Sequence, residues 1–172
     1  MNGYAIPLGT DGMQIVRTLP GPVERLWDYL TDSRKRATWL AAGEFDLRVG
    51  GRIELDFDND SLSPGACAPA KHADEHGSFT GTITRCEPPR VLAFTWAGWK
   101  EESEVTFELT PAGSEVELKV THVRLTNRGL RIGVMSGWDT HIGILAARLR
   151  GVEPEPFWPT HERLEREYGA RI

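Results

Sequence analysis

A chain of 172 residues, 40% apolar and 26% charged, has the size and composition of one ordinary globular domain. Folding at this size hides roughly 70% of the unfolded surface, so a core can form without metal or disulfide. A net charge of −5 with interleaved signs excludes the concentrated basic face of a nucleic-acid binder, and no apolar run approaches membrane-spanning length.

Residues 1–12 mix Gly, Pro and polar groups and predict a loose leader. They lack the basic start and apolar stretch of a secretory signal. Cys67 in a loop and Cys86 in a strand suit a reduced pair, so a soluble, cytoplasmic protein is expected. Residues 13–19 predict a strand, stopped by Pro20-Gly21-Pro22. Pro22 suits the first position of a helix, and Val23, Leu26, Trp27 and Leu30 follow on one apolar face. Asp32 or Ser33 can cap a second short helix through Arg34-Lys35-Arg36, a basic run expected on a solvated face.

From Glu44 the period changes to two. Phe45 and Leu47, the turn Gly50-Gly51, then Ile53, Leu55 and Phe57 predict a hairpin. Residues 59–75 predict a long loop. Four further strands carry Phe79 and Ile83; Leu92, Phe94 and Trp96; Val105, Phe107 and Leu109; and Val116, Leu118, Val120 and His122. Their apolar positions alternate with Glu, Thr, Arg or Lys, the mark of an antiparallel sheet solvated on one side. The cover for the other side is a helix capped by Ser136, or starting nearer Asn127, and ended by Gly151. Trp138, Ile142, Leu145 and Leu149 form its apolar stripe. Pro154, Pro156 and Pro159 then force an extended tether, with a last short helix over residues 160–168. The predicted fold class is α+β: a curved antiparallel sheet wrapped around a long C-terminal helix over residues 13–151, followed by a tail at 152–172.

His72-Ala73-Asp74-Glu75-His76 matches the H-x-x-E-H pattern of inverted zinc peptidases. That chemistry needs a stable helix and a third ligand. Here the stretch sits in a Pro/Gly/Ala-rich loop and meets Gly77 at once, so a solvated loop and no metal ligand are expected. His122 continues the inward phase of the last strand, and His141 flanks the helix stripe. They serve as polar anchors of a cavity, as an acid–base pair, or as buried imidazoles hydrogen-bonded to their surroundings, and the last is the simplest reading. Trp39, Trp96 and Trp138 suit core and pocket wall equally, and Trp99 falls at a turn. Gly50-Gly51 leads into a strand, so it is no phosphate cradle. No Ser-His-Asp or Cys-His set has supporting context, and no catalytic residue or cofactor is assigned.

Five pieces in order carry a resemblance: residues 22–39; Asp46-Leu47-Arg48-Val49-Gly50-Gly51-Arg52; residues 81–96 around Pro88-Pro89-Arg90; residues 104–109 with Pro111-Ala112-Gly113-Ser114; and Gly137-Trp138. Together they resemble the START-like superfamily, also labelled SRPBCC, in the branch named after heat-shock-protein-90 ATPase activator homologues. The resemblance implies the helix-grip fold (START or birch-pollen-allergen-like), with a cavity between sheet and long helix. The loop at 61–75 is longer than that pattern needs, and the tail after Gly151 extends past its usual end, over the cavity mouth or onto a neighbour. The expected ligand-binding wall is Phe57, Phe79, Trp96, Phe107, His122, Trp138, His141 and Leu145. The expected function is non-catalytic binding of a small apolar molecule, as carrier or sensor, with a homodimer left open. A cyclase- or hydrolase-type enzyme using His122 or His141, and a co-chaperone-like interaction module, are the alternatives.

Overall fold

The computed structural model describes residues 3–65, 67–72, 77–97 and 102–172. Trp99, and His76 of the H-x-x-E-H stretch, lie outside them. Among the described residues the strands are β1 (Ile6–Leu8), β2 (Gly12–Pro20), β3 (Arg52–Asp56), β4 (Ser78–Glu87), β5 (Val91–Trp96), β6 (Ser103–Ala112) and β7 (Glu115–Val123). They form one antiparallel sheet in the order β1-β2-β7-β6-β5-β4-β3. The helices are α1 (Val23–Thr31), α2 (Ser33–Arg36), α3 (Arg128–Arg150) and α4 (Phe157–Arg171). The α+β class expected from the residues, and the helix-grip architecture that the resemblance implied, are the ones observed.

Register explains the single apolar face. Leu109 opposes Leu118, Phe107 opposes Val120 and Val105 opposes His122, while Ile15 and Leu19 of β2 meet Val120 and Val116. All of these side chains are buried. The sheet bends where β4 carries an irregularity between Ile83 and Arg85. Just before it, a Cβ on Gly81 would lie 1.8 Å from the Thr95 carbonyl oxygen, so only glycine allows β4 to approach β5 there.

The long helix α3 starts at Asn127, whose side chain accepts from the Leu130 amide at 2.8 Å, and stops at Gly151 in the left-handed conformation. Its 23 residues span about 34 Å, enough to cross the sheet. Trp138, Ile142, Leu145 and Leu149 are buried on the stripe that faces the strands. Ile144 and Ala147 on the other side are buried too, because α4 runs back along α3. The end of α4 reaches the start of α3, where Arg128 donates to the carbonyls of Gly169 and Ile172.

Several expectations need correction. The leader is not loose throughout: Ile6–Leu8 pairs with β2, and the Ala5 amide donates to the Tyr168 hydroxyl at 2.7 Å. The first arm of the 45–57 hairpin is no strand; single bridges at Ala42–Asp56 and Phe45–Ile53 replace it. Alternation alone cannot supply the ladder partners a strand needs, and residues 44–49 are largely exposed. Arg36 is buried rather than solvated. Its guanidinium donates to the carbonyls of Leu30, Thr31 and Gly43 and covers the Phe45 ring at 3.6 Å. Burial lowers its pKa to about 10, and Glu44 and Asp32 partly offset that. The last helix is 15 residues long, and the tail docks on its own domain: Phe157, Trp158, Leu164 and Tyr168 are all buried.

Candidate functional site

Between α3, the first half of α4 and the open end of the sheet lies a cleft of about 530 Å³. Strand positions contribute Phe79, Trp96 and His122, Phe57 follows directly on β3, and α3 contributes Trp138 and His141. These are six of the eight residues expected to form a wall. Phe107 and Leu145 are elsewhere, in the filled core. Phe107 lies 5.9 Å from Phe94 and 5.4 Å from Trp138, centroid to centroid, and both residues are about 1% exposed. They have the correct phase, but the space in front of them is already occupied.

Between the side chains that α3 sends to the cleft runs a strip of the helix that carries none. Gly129, Gly133 and Gly137 recur every fourth residue and line the cleft together. A Cβ at Gly133 or Gly137 would meet nothing within 4 Å. Each glycine inside a helix costs about 0.8–1 kcal/mol relative to alanine, so the strip comes at the expense of helix stability. The spacing G-x-x-x-G-x-x-x-G was present in the sequence and would have pointed to this wall.

Aromatic rings build the opposite side. Phe57 stacks on Trp96 at 5.7 Å and meets Phe79 edge-on at 5.6 Å, and Trp96 meets Trp138 perpendicularly at 5.7 Å. Offset and edge-on pairs of this kind hold rings in place. From α4, Phe157 approaches His141 at 5.0 Å. The tail thus forms part of the wall.

The two inward histidines are held differently. The Trp138 indole N–H donates to His122 Nδ1 at 3.0 Å. That leaves the ring's own proton on Nε2, which donates to Ser103 Oγ at 2.8 Å. The Ser103 hydroxyl in turn reaches the Trp96 carbonyl at 3.4 Å. Both nitrogens of His122 are committed, and burial, with Arg124 adding to it, lowers its pKa to about 3. His141 Nδ1 donates to the Trp39 carbonyl at 2.8 Å, which leaves Nε2 as its acceptor. Burial lowers its pKa to about 4, against the opposing pull of that carbonyl. Each ring is therefore neutral near pH 7, and each bonds its surroundings as the simplest reading expected.

A second cluster, of which the sequence singled out only His72, sits at the same wall. His72 is buried at the end of a short turn (Ala70–His72) and stacks on Trp158 at 5.1 Å. His161 and Glu165 approach it from α4. The loop histidine is therefore packed, not solvated. Burial pushes the Glu165 carboxyl up, but the Lys71 hydrogen bond and the neighbouring His161 outweigh it and leave the group below its ordinary value. Loop and tail meet only in the folded chain, so no local pattern could announce this contact.

The family model described as Activator of Hsp90 ATPase homolog 1-like protein matches residues 20–150. A Bordetella parapertussis protein solved by solution NMR is 41% identical over 99% of this chain and 91% of its own, with a TM-score of 0.83. The crystal structure of CalU16 from Micromonospora echinospora shares the fold at 23% identity, covering 97% of this chain and 93% of its own, with a TM-score of 0.70. DynU16, described as lying in the dynemicin biosynthetic locus, shares it at 23% identity over 84% of this chain and 49% of its own, with a TM-score of 0.67. Among curated proteins nothing matches the chain. Within the described residues no helix is long and apolar enough to cross a membrane.

Proposed function

Since the chain belongs to the Activator of Hsp90 ATPase homolog 1-like family, within the START-like superfamily, we propose that it binds a small apolar molecule in the cleft beside α3. The observation that carries this reading is the glycine face of α3. Three helix-weakening residues line a space of about 530 Å³, in the size range of small-molecule sites. The aromatic wall suits an apolar body, and His141 Nε2, a neutral acceptor, suits a single hydroxyl or N–H on the ligand. Chemistry on the ligand is not part of the proposal. His122 has no nitrogen left to take a proton, and a general base works best with a pKa near the working pH, far above the value for His141.

Titration with an apolar fluorescent probe, followed through the Trp96 and Trp138 emission, tests the proposal. Saturable binding of one probe per chain is expected, weakened by Trp138→Ala and altered in probe preference by His141→Ala. An emission that never saturates would count against a binding cleft.

A further inference from the structure

We propose that His72, His161 and Glu165 form a binding site for a divalent first-row transition metal, Zn²⁺ in particular, at the wall of the cleft. His161 and Glu165 are four residues apart on α4 and so share one face of the helix. His72 is brought against them by the loop. One donor atom from each of the three lies within 4.8 Å of the others. His72 Nε2 is 3.7 Å and His161 Nδ1 is 4.0 Å from the same carboxylate oxygen of Glu165. Tetrahedral Zn²⁺ with bonds near 2.0–2.2 Å needs donors about 3.3 Å apart, so the three side chains must draw together by up to about 1.5 Å, a movement within reach of side-chain rotation.

The surroundings favour such a site. The His72 ring is stacked on Trp158 at 5.1 Å, and His161 on Phe157 at 5.8 Å, so both imidazoles are oriented before any ion arrives. Trp158 is itself fixed, donating from its indole to Asp60 at 2.7 Å. Both histidines are nearly buried, and Glu165 is three-quarters shielded, which limits competition from water. Lys71 also holds that Glu165 oxygen, at 2.6 Å, but its side chain is 55% exposed and can swing into water when a dication takes the carboxylate. Two imidazoles and one carboxylate are a recurrent zinc set, with a fourth position left for an outside molecule. Here all three ligands line the cleft, so that position faces it. The site stands whether or not the cleft takes an apolar ligand.

The test uses the full-length, untagged chain stripped with a chelator and titrated with Zn²⁺ by calorimetry, with Co²⁺ as an optical probe of coordination. One ion per chain and a Co²⁺ spectrum of low coordination number are expected. Losing an outer-shell partner typically costs roughly 10–100-fold in affinity, so His161→Ala should cost at least that much. Glu165→Gln, at a partly exposed position, should weaken binding while leaving the fold intact by circular dichroism, which covers the case where His161→Ala disturbs packing. No saturable uptake of either ion would overturn the proposal. So would an affinity unchanged in both variants, or one lost instead in His76→Ala.

Discussion

At the residue scale the two inward histidines make stability depend on pH. The folded chain keeps His122 and His141 neutral down to pKa values of about 3 and 4, whereas an unfolded imidazole protonates near 6.5. Between those limits the unfolded state holds more protons, so stability is complete above pH 6.5 and falls as the pH drops towards 4. Each ring contributes a slope of up to about 1.4 kcal/mol per pH unit in that window. Urea unfolding at pH 7 and pH 5 should therefore differ by on the order of 3 kcal/mol, and His122→Gln should shallow the slope by about half. Equal stability at the two pH values would mean that these rings are not buried as described. The strand and helix periods set the inward phase of the six residues that line the cleft, because phase decides which face a side chain takes, while the expectation of a wall came from the family resemblance. Phase does not decide whether the facing space is filled, and that is why Phe107 and Leu145 share the pattern yet lie in the core. His161 and Glu165 carried no legible signal, since their partner His72 reaches them only through tertiary structure.

At the scale of elements the tail is the largest departure from the sequence reading. Three prolines predicted a tether with a short helix, yet α4 is a 15-residue helix that buries a second side of α3. Its hold is part apolar and part polar. The Tyr168 hydroxyl donates to Asp139 at 2.6 Å, and Asp139 also pairs with Arg17 of β2 at 2.6 Å, which ties tail, long helix and sheet together. Phe157, Trp158, Leu164 and Tyr168 should contribute on the order of 6–12 kcal/mol, at about 1.5–3 kcal/mol for each buried side chain. That is comparable to the whole stability of a domain, typically about 5–15 kcal/mol. Cutting the chain after Gly151 should abolish the cooperative thermal transition or lower its midpoint by well over ~10 °C. A truncated chain that melts within a few degrees of the full one would show that α4 is a dispensable appendage. The end of the long helix was legible from Gly151, because caps are local chemistry, but its start was not fixed: Ser136, the first candidate cap, lies inside the helix with its hydroxyl on the Ile132 carbonyl, and Asn127, the alternative, is the cap observed. The missing strand at 44–49 was not, because a ladder needs a partner that alternation does not name.

At the scale of the molecule the account depends on the cleft being a place for a ligand and not a gap left by imperfect packing. Seven antiparallel strands, the irregularity in β4 and the crossing of α3 shape one end of the fold around that space. The glycine face of α3 makes the question measurable, because stability and binding should move in opposite directions there. Gly133→Ala meets no atom within 4 Å and should stabilise the helix by about 1 kcal/mol, which raises the melting temperature by about 2–4 °C. Gly133→Leu should fold as well and fill the cleft with its side chain. The decisive measurement is a titration of the apolar probe into wild type and Gly133→Leu side by side, with a thermal melt of each. The account predicts a folded variant with an undiminished melting temperature that no longer binds the probe. A folded Gly133→Leu that binds as wild type does would contradict it.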